Sequence, residues 1–563
     1  MPTPAHGRSP AKFPRRGRTV RAAALLMAAG LLAAGCSGAG GGQVAAGGSV
    51  LTVAPNPTGP FARAFNPFLP TSTSATGFAD NLIYEPLMMV DYNSDTYKPW
   101  LATAYKWSNG GRVLTLTLRT GVKWSDGQPF SASDVAYTYG LLRKYPVLNN
   151  GGLPVTSATA PNPATAVIHF SGPAYTDLDN ALGLKPVPEH IWGKVTDPAT
   201  YQDSSPVGTG PYLLSTFSPQ TLTFTKNPKY WQANGIRVTT LRYQAFDSPS
   251  SEEAAMETGQ IDWEDHVFTD FSKLTSRPHI SGQNTSDGGV TFILPNESRY
   301  PLNLLPVREA ISEAIDRTAL STAEGSGQHA ATSPTGFMSP QTRFIAPAYT
   351  SMRYGGAEPA KARATLENAG FTMGGNGVFR TPKGTPLQLT MLLGSGQENL
   401  ITLAQVMRQE LAAAGIGMNI QTETFSAVTT DVRSGNFDLN IYGDNGNFDP
   451  YNYYLYLFDP AFYSPPGKLA QGDLSRYQDP AAEKLFKELE TLPPSSAQAS
   501  SVTASLEKVM VDRMPVIPLN TTATQWAFRT DTFTGWPTTA DPYAFAEPLD
   551  DNVELVMLHL RPR

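Results

Sequence analysis

Residues 400–421 read LITLAQVMRQELAAAGIGMNIQ. Leu400, Leu403, Ala404, Met407, Leu411 and Ala414 recur at three- and four-residue steps, which places them on one face of a helix. Gly415 stops that helix, and Met418-Asn419-Ile420-Gln421 then reads as a strand. A further strand, Asp438-Leu439-Asn440-Ile441-Tyr442, runs into a polar loop. Strand–helix–strand order across 385–445 indicates an α/β lobe with a partly parallel sheet.

Toward the N-terminus, Val307, Ala310, Ile311, Ala314 and Ile315 form another helical stripe, ending at Asp316-Arg317. That acid–base dipeptide reads as a surface or helix-end pair. Residues 50–54, VLTVA, read as an opening strand, and Val113–Leu118 alternates apolar with polar residues. Asn109-Gly110-Gly111 supplies the turn for a hairpin over Tyr105–Leu118. Ser131 and Asp134 have capping-box spacing for a helix through Val135 and Leu141. Hairpin-rich sequence before residue 250 points to a first lobe that is more antiparallel. The fold class is therefore mixed α/β with at least two lobes.

The chain has 563 residues, of which 16% are charged against about 25% in ordinary globular chains, so it can bury a large core. A single cysteine excludes disulfide scaffolds, cysteine zinc clusters and iron–sulfur sites. The histidines at 6, 169, 190, 266, 279, 329 and 559 show no HExxH spacing. No GxxxxGK[ST], strand-borne GxGxxG or GxSxG occurs either. A non-enzymatic chain with no cofactor and no metal is the expectation.

Residues 1–35 carry Arg8, Lys12, Arg15, Arg16, Arg18 and Arg21 and no acid, and an apolar run from Ala22 to Ala34 follows the bases. The run is too short to span a bilayer and suits a signal peptide. Cys36, behind Ala33-Ala34-Gly35, resembles a lipoprotein lipobox, in which the thiol accepts a diacylglycerol. Arg15-Arg16 leaves twin-arginine export open. Residues 36–49 then read as the lipidated cysteine and a flexible glycine-rich tether. Without residues 1–35 the chain holds 36 basic and 48 acidic residues, a net charge of −12, which argues against nucleic acid as a partner.

Several segments recur in a recognisable order: Tyr84–Leu87, Gly121–Val135 (GVKWSDGQPFSASDV), Pro206–Tyr212 (PVGTGPY), Lys226–Trp231 (KNPKYW), Val307–Arg317 and Glu367–Phe371. This set resembles family 5 extracellular solute-binding proteins, the oligopeptide and dipeptide receptors of ABC importers. The resemblance implies a two-lobed, periplasmic-binding-protein-like fold of type II, in the large cluster with an extra subdomain in lobe I. Lobe I would comprise 50–288, lobe II 289–519, and 520–563 would return to lobe I. It further implies a monomer at the outer face of the cell membrane that closes on a small solute and docks on a permease. Within these segments, Trp124 reads as a packing corner and Gly208-Thr209-Gly210-Pro211 as a tight structural turn.

The most ligand-like stretch is Tyr442–Tyr454 (YGDNGNFDPYNYY), just after a strand's C-terminal end, where open α/β sheets tend to bind ligands. It supplies Asp444, Asn445, Asn447, Asp449 and Tyr453 as candidate contacts. In peptide receptors of the resembled family an aspartate three before the Asp-Pro aspartate pairs with the peptide's α-amino group. This sequence has Gly446 there. A short oligosaccharide therefore stands beside a peptide as a reading of the ligand. Tyr451, Tyr453, Tyr454, Tyr456 and Phe458 can alternatively pack a helix onto the lobe. Phe65 and Asn66, after the first strand, and Phe292 and Asn296, near the lobe crossover, complete the candidates, and Trp263 is read as core. A hydrolase using Asp444 and Asp449, and a signalling or scaffold lipoprotein, are the competing classes.

Overall fold

The computed structural model describes residues 49–55, 59–69, 80–91, 96–266, 268, 270–285, 289–324, 329–339, 341–444, 449–521, 524–548 and 552–563. Cys36, Asn445, Gly446 and Asn447 lie outside these residues, as do the basic and apolar segments before Cys36.

The opening strand Val50–Ala54 lies inside a seven-stranded sheet, parallel to both neighbours, Thr240–Gln244 and Trp263–Asp265. Both of its faces are covered, which is why four of its five residues are buried and few are polar. Thr524–Arg529, from near the C-terminus, fits between Trp263–Asp265 and Ile280–Thr285 in the same sheet. The last part of the chain thus completes the sheet that the first part began.

A four-stranded antiparallel sheet stands beside it, containing the hairpin Ala102–Ser108 and Val113–Leu118. Helix Ala132–Lys144 starts as its capping box requires. The Ser131 hydroxyl accepts from Ser133 N at 3.3 Å, and the Asp134 carboxylate accepts from Ser131 N at 3.0 Å. Trp124 is fully buried and meets Phe130 edge-on at 5.7 Å, as a packing corner does. The turn at 208–211 is structural. A Cβ on Gly208 would stand 1.7 Å from the Ile83 carbonyl oxygen, so only glycine lets the two backbones approach.

The second sheet has five strands in the order Gly417–Glu423, Gln388–Gly394, Leu439–Asp444, Val290–Pro295, Ile517–Thr521. Its first two pairings are parallel and the next two antiparallel. Helix Glu398–Ala413 makes the crossover and ends at Gly415, whose φ of +82° suits glycine. Strand Val290–Pro295 is buried throughout because alternate residues enter two cores. Ile293 joins Val307, Ile311, Leu403 and Met407 on one side, while Val290, Phe292 and Leu294 join Tyr453, Tyr454 and Phe458 on the other.

The Asp316-Arg317 pair is a helix-end pair rather than a surface one. Asp316 accepts from Thr318 N at 2.9 Å and Ala319 N at 3.1 Å, capping helix Arg317–Glu324. Arg317 is 2% exposed and donates to Pro518 O, Ser312 O and Ser312 Oγ, with its guanidinium 3.4 Å from the centre of the Tyr354 ring. A buried guanidinium requires such partners, and it has them. Trp263 is core as expected, its indole donating to Ala546 O at 2.9 Å. Among the described residues no helix is long and apolar enough to cross a membrane.

Candidate functional site

A cavity of about 1170 Å³ opens between the two lobes. Its first-lobe wall is aromatic. Tyr105 and Trp107 are two residues apart on Ala102–Ser108, so the strand period turns both to one side. Tyr97 meets Tyr105 edge-on at 6.2 Å and Tyr175 meets Trp107 edge-on at 5.3 Å. The Trp107 indole N–H is buried without a hydrogen-bond partner. The second-lobe wall comes from residues 343–347, 449–451 and 489–504.

Carboxylates from both lobes reach this space. Asp179, on the short helix Leu178–Leu182, accepts a hydrogen bond from the Tyr97 hydroxyl. Burial first, and then the charge of Asp449, pushes Asp179 up to about 6. Asp449 is the N-cap of Pro450–Phe458 and accepts from Tyr451 N at 2.6 Å and Asn452 N at 3.4 Å. Those bonds favour its ionised form, but burial outweighs them and holds it at about 6. Asp177, which does not line the cavity, is pushed up to about 6 by burial and then by Glu490. On the opposite wall Arg343 lies 4.4 Å from the centre of the Phe344 ring, and burial lowers its pKa. The cavity thus offers aromatic faces, paired acids and a guanidinium. The lobes also touch beside it, where the Asn452 amide donates to Thr176 O at 2.8 Å.

Of the residues singled out from the sequence, Asp449 lines the cavity. Asp444 ends its strand with its backbone opposite Val290. Phe65, Asn66, Phe292, Asn296 and Tyr453 are fully buried and do not line this cavity. Asn66 donates to Tyr201 O at 2.7 Å and accepts from Phe68 N at 2.9 Å, so its amide orders a loop. Asn296 donates to Gly435 O at 2.9 Å and Phe437 O at 2.8 Å. Phe292 packs near Tyr453, whose hydroxyl donates to Gly336 O at 2.5 Å. The aromatic run after Pro450 mainly packs a helix onto the lobe, with Tyr453, Tyr454 and Phe458 in the core and Tyr451 at the cavity. Tyr97, Tyr105, Trp107, Tyr175, Asp179 and Arg343 were not anticipated. Only the Tyr105–Trp107 spacing on a strand would have drawn attention to any of them.

Two α/β lobes enclosing a solute-sized cavity define a binding-protein architecture. The chain belongs to the bacterial extracellular solute-binding proteins of family 5, whose model ("family 5 Middle") matches residues 96–464. The family is one of solute-binding proteins. The nickel-binding periplasmic protein of Escherichia coli K12 is 25% identical over 408 residues, which is 70% of this chain and 75% of that protein. The periplasmic oligopeptide-binding protein of a Thermotoga maritima ABC transporter superposes with a TM-score of 0.81 at 22% identity, covering 92% of this chain and 99% of that one. The same Thermotoga protein with mannohexaose bound gives a TM-score of 0.72, with the same identity and coverage.

Proposed function

We propose that the chain is the substrate-binding lipoprotein of an ABC importer, and that it captures a short peptide or similar amino-bearing polar solute between its lobes for delivery to a membrane permease. The observation that carries this reading is Asp179 from one lobe and Asp449 from the other at the same aromatic-walled cavity. Buried carboxylates held near 6 gain most from a ligand that brings a positive charge. At about 1170 Å³ the cavity exceeds the usual small-molecule range of ~300–1,000 Å³, which suits an oligomeric ligand. Binding contributions from both lobes would favour the closed arrangement.

An oligosaccharide is the second reading. Tyr97, Tyr105, Trp107 and Tyr175 present ring faces and edges of the kind that stack on sugar rings, and Trp107 carries an unpartnered donor. A thermal-shift screen of the protein lacking residues 1–35, against di- to pentapeptides and an oligosaccharide panel, separates the two. A ligand at about 100 times its Kd stabilises the fold by about 2.7 kcal/mol. Shifts with peptides support the first reading, and shifts with neutral sugars alone replace it with the second.

In the same reading, residues 1–35 direct export and Cys36 is lipidated, holding a monomeric receptor at the outer face of the membrane. Lobe I spans 50–288 with the return 520–563, and lobe II spans 289–519. The sheet membership of Thr524–Arg529 supports that division.

A further inference from the structure

Another group of polar side chains lies in the first lobe, away from the cavity. Glu264 and His266 are two residues apart at the end of Trp263–Asp265, and the strand period turns both to one face. Helix Pro249–Thr258 packs over that strand and brings Glu252 to the same point. His266 Nε2 lies 3.7 Å from Glu252 Oε2 and 3.6 Å from Glu264 Oε2. One ligand atom from each residue lies within 4.8 Å of those of the other two.

These side chains are sealed from solvent, with His266 at 2% exposure and both glutamates at 0%. Neither ring nitrogen of His266 and no carboxylate oxygen of Glu252 or Glu264 has a hydrogen-bond partner. A protonated His266 would offset only one of the two carboxylates at ion-pair range, and buried polar groups are nearly always hydrogen-bonded, so this arrangement is incomplete as a purely structural network. The Phe268 ring lies 3.9 Å from the imidazole centre, and Phe268 N donates to Gln525 Oε1, which fixes the wall behind the histidine.

We infer that Glu252, Glu264 and His266 bind one divalent transition-metal ion of the zinc type, which ties helix Pro249–Thr258 to strand Trp263–Asp265. An imidazole with two carboxylates suits zinc, cobalt or nickel, whereas calcium and magnesium prefer six or more oxygens. Tetrahedral ligands around zinc stand ~3.4 Å apart, so the two distances from His266 need to close by only a few tenths of an ångström, while the carboxylates, within 4.8 Å of each other, draw together around the ion. None of the three residues lines the cavity between the lobes, so the site is separate from solute capture.

The test uses the untagged chain, stripped with EDTA, dialysed and reloaded with ZnCl2. Wild type is expected to retain about one zinc per chain and to gain thermal stability with ZnCl2 but not MgCl2. Glu264→Gln and His266→Gln are expected to weaken zinc binding at least ~10-fold. Because either variant could fold poorly, X-ray absorption on zinc-loaded wild type gives an independent reading, with one imidazole among oxygen donors expected. No retained zinc, unchanged affinity in both variants, or a shell with sulfur or several imidazoles overturns the proposal.

Discussion

The side-chain amide of Asn452 donates a 2.8 Å hydrogen bond to the carbonyl oxygen of Thr176, 276 residues earlier in the chain. Asn452 sits in the first turn of Pro450–Phe458, directly after the capped N-terminus that carries Asp449. Thr176 sits two residues before the helix that carries Asp179. This hydrogen bond therefore links the two walls that bear the acids. Asn452→Ala removes it without touching either core. The closed arrangement is expected to lose about 0.5–1.5 kcal/mol, and solute affinity to fall about 2- to 10-fold. Calorimetry against the best ligand, with the melting temperature as a control for folding, checks this.

The acids give the cavity a pH dependence of definite sign. Asp179 and Asp449 stand at about 6 with the lobes together, above the ordinary aspartate value of 3.8 toward which greater solvent exposure on opening would move them. The closed form then binds more protons than the open form, so ligand-free closure is fully supported below about pH 4 and loses support as pH rises through about 6. A cationic solute reverses the direction, since it is held by the ionised carboxylates. Its affinity is expected to fall several-fold between about pH 7.5 and about pH 5, and that of a neutral sugar is not. Titration calorimetry at both pH values distinguishes them.

Two glycines make opposite predictions. Gly208→Ala drives a Cβ to 1.7 Å from the Ile83 carbonyl oxygen and is expected to cost more than about 3 kcal/mol, or to prevent folding. Gly140 lies within helix Ala132–Lys144 with nothing within 4 Å of its would-be Cβ. Gly140→Ala is expected to stabilise by about 0.5–1 kcal/mol. Chemical denaturation of both variants measures the contrast.

Cys36→Ala is expected to move the protein from the membrane fraction to the medium, or to the soluble periplasmic fraction. Equal partitioning of wild type and variant would remove the lipid anchor from the proposal.

The fold was legible where local chemistry and long-range packing agree. Ser131 and Asp134 cap a helix wherever that helix goes, and Gly415 ends one because its backbone must turn left-handed. The ordered segments from Tyr84 to Phe371 carried the family. The site was much less legible because its walls come from segments hundreds of residues apart. Asn66 and Asn296 looked available for a ligand, since a sequence cannot show an amide already bonded to distant carbonyls. Asp316-Arg317 was legible as a helix-end pair, but the burial of Arg317 was not, its partners Pro518 and Tyr354 being remote. The group of Glu252, Glu264 and His266 was hidden because no local spacing joins a helix residue to a strand twelve positions on. The proposed site departs from the expectation of no metal, because metal-ligand spacing is visible in sequence only when the ligands share an element.

The central claim is that the cavity reads a cationic amino group through Asp179 and Asp449. The most direct measurement is calorimetry of one peptide with a free and with an acetylated N-terminus, against wild type and the Asp179→Asn, Asp449→Asn double variant. Asparagine still caps the helix at 449 and still accepts from Tyr97 at 179, so the substitution removes charge and little else. The expected result is at least ~10-fold tighter binding of the free peptide to wild type, with that preference lost in the double variant. Equal affinity for the free and acetylated peptides in wild type, or an undiminished preference in the double variant, would contradict it.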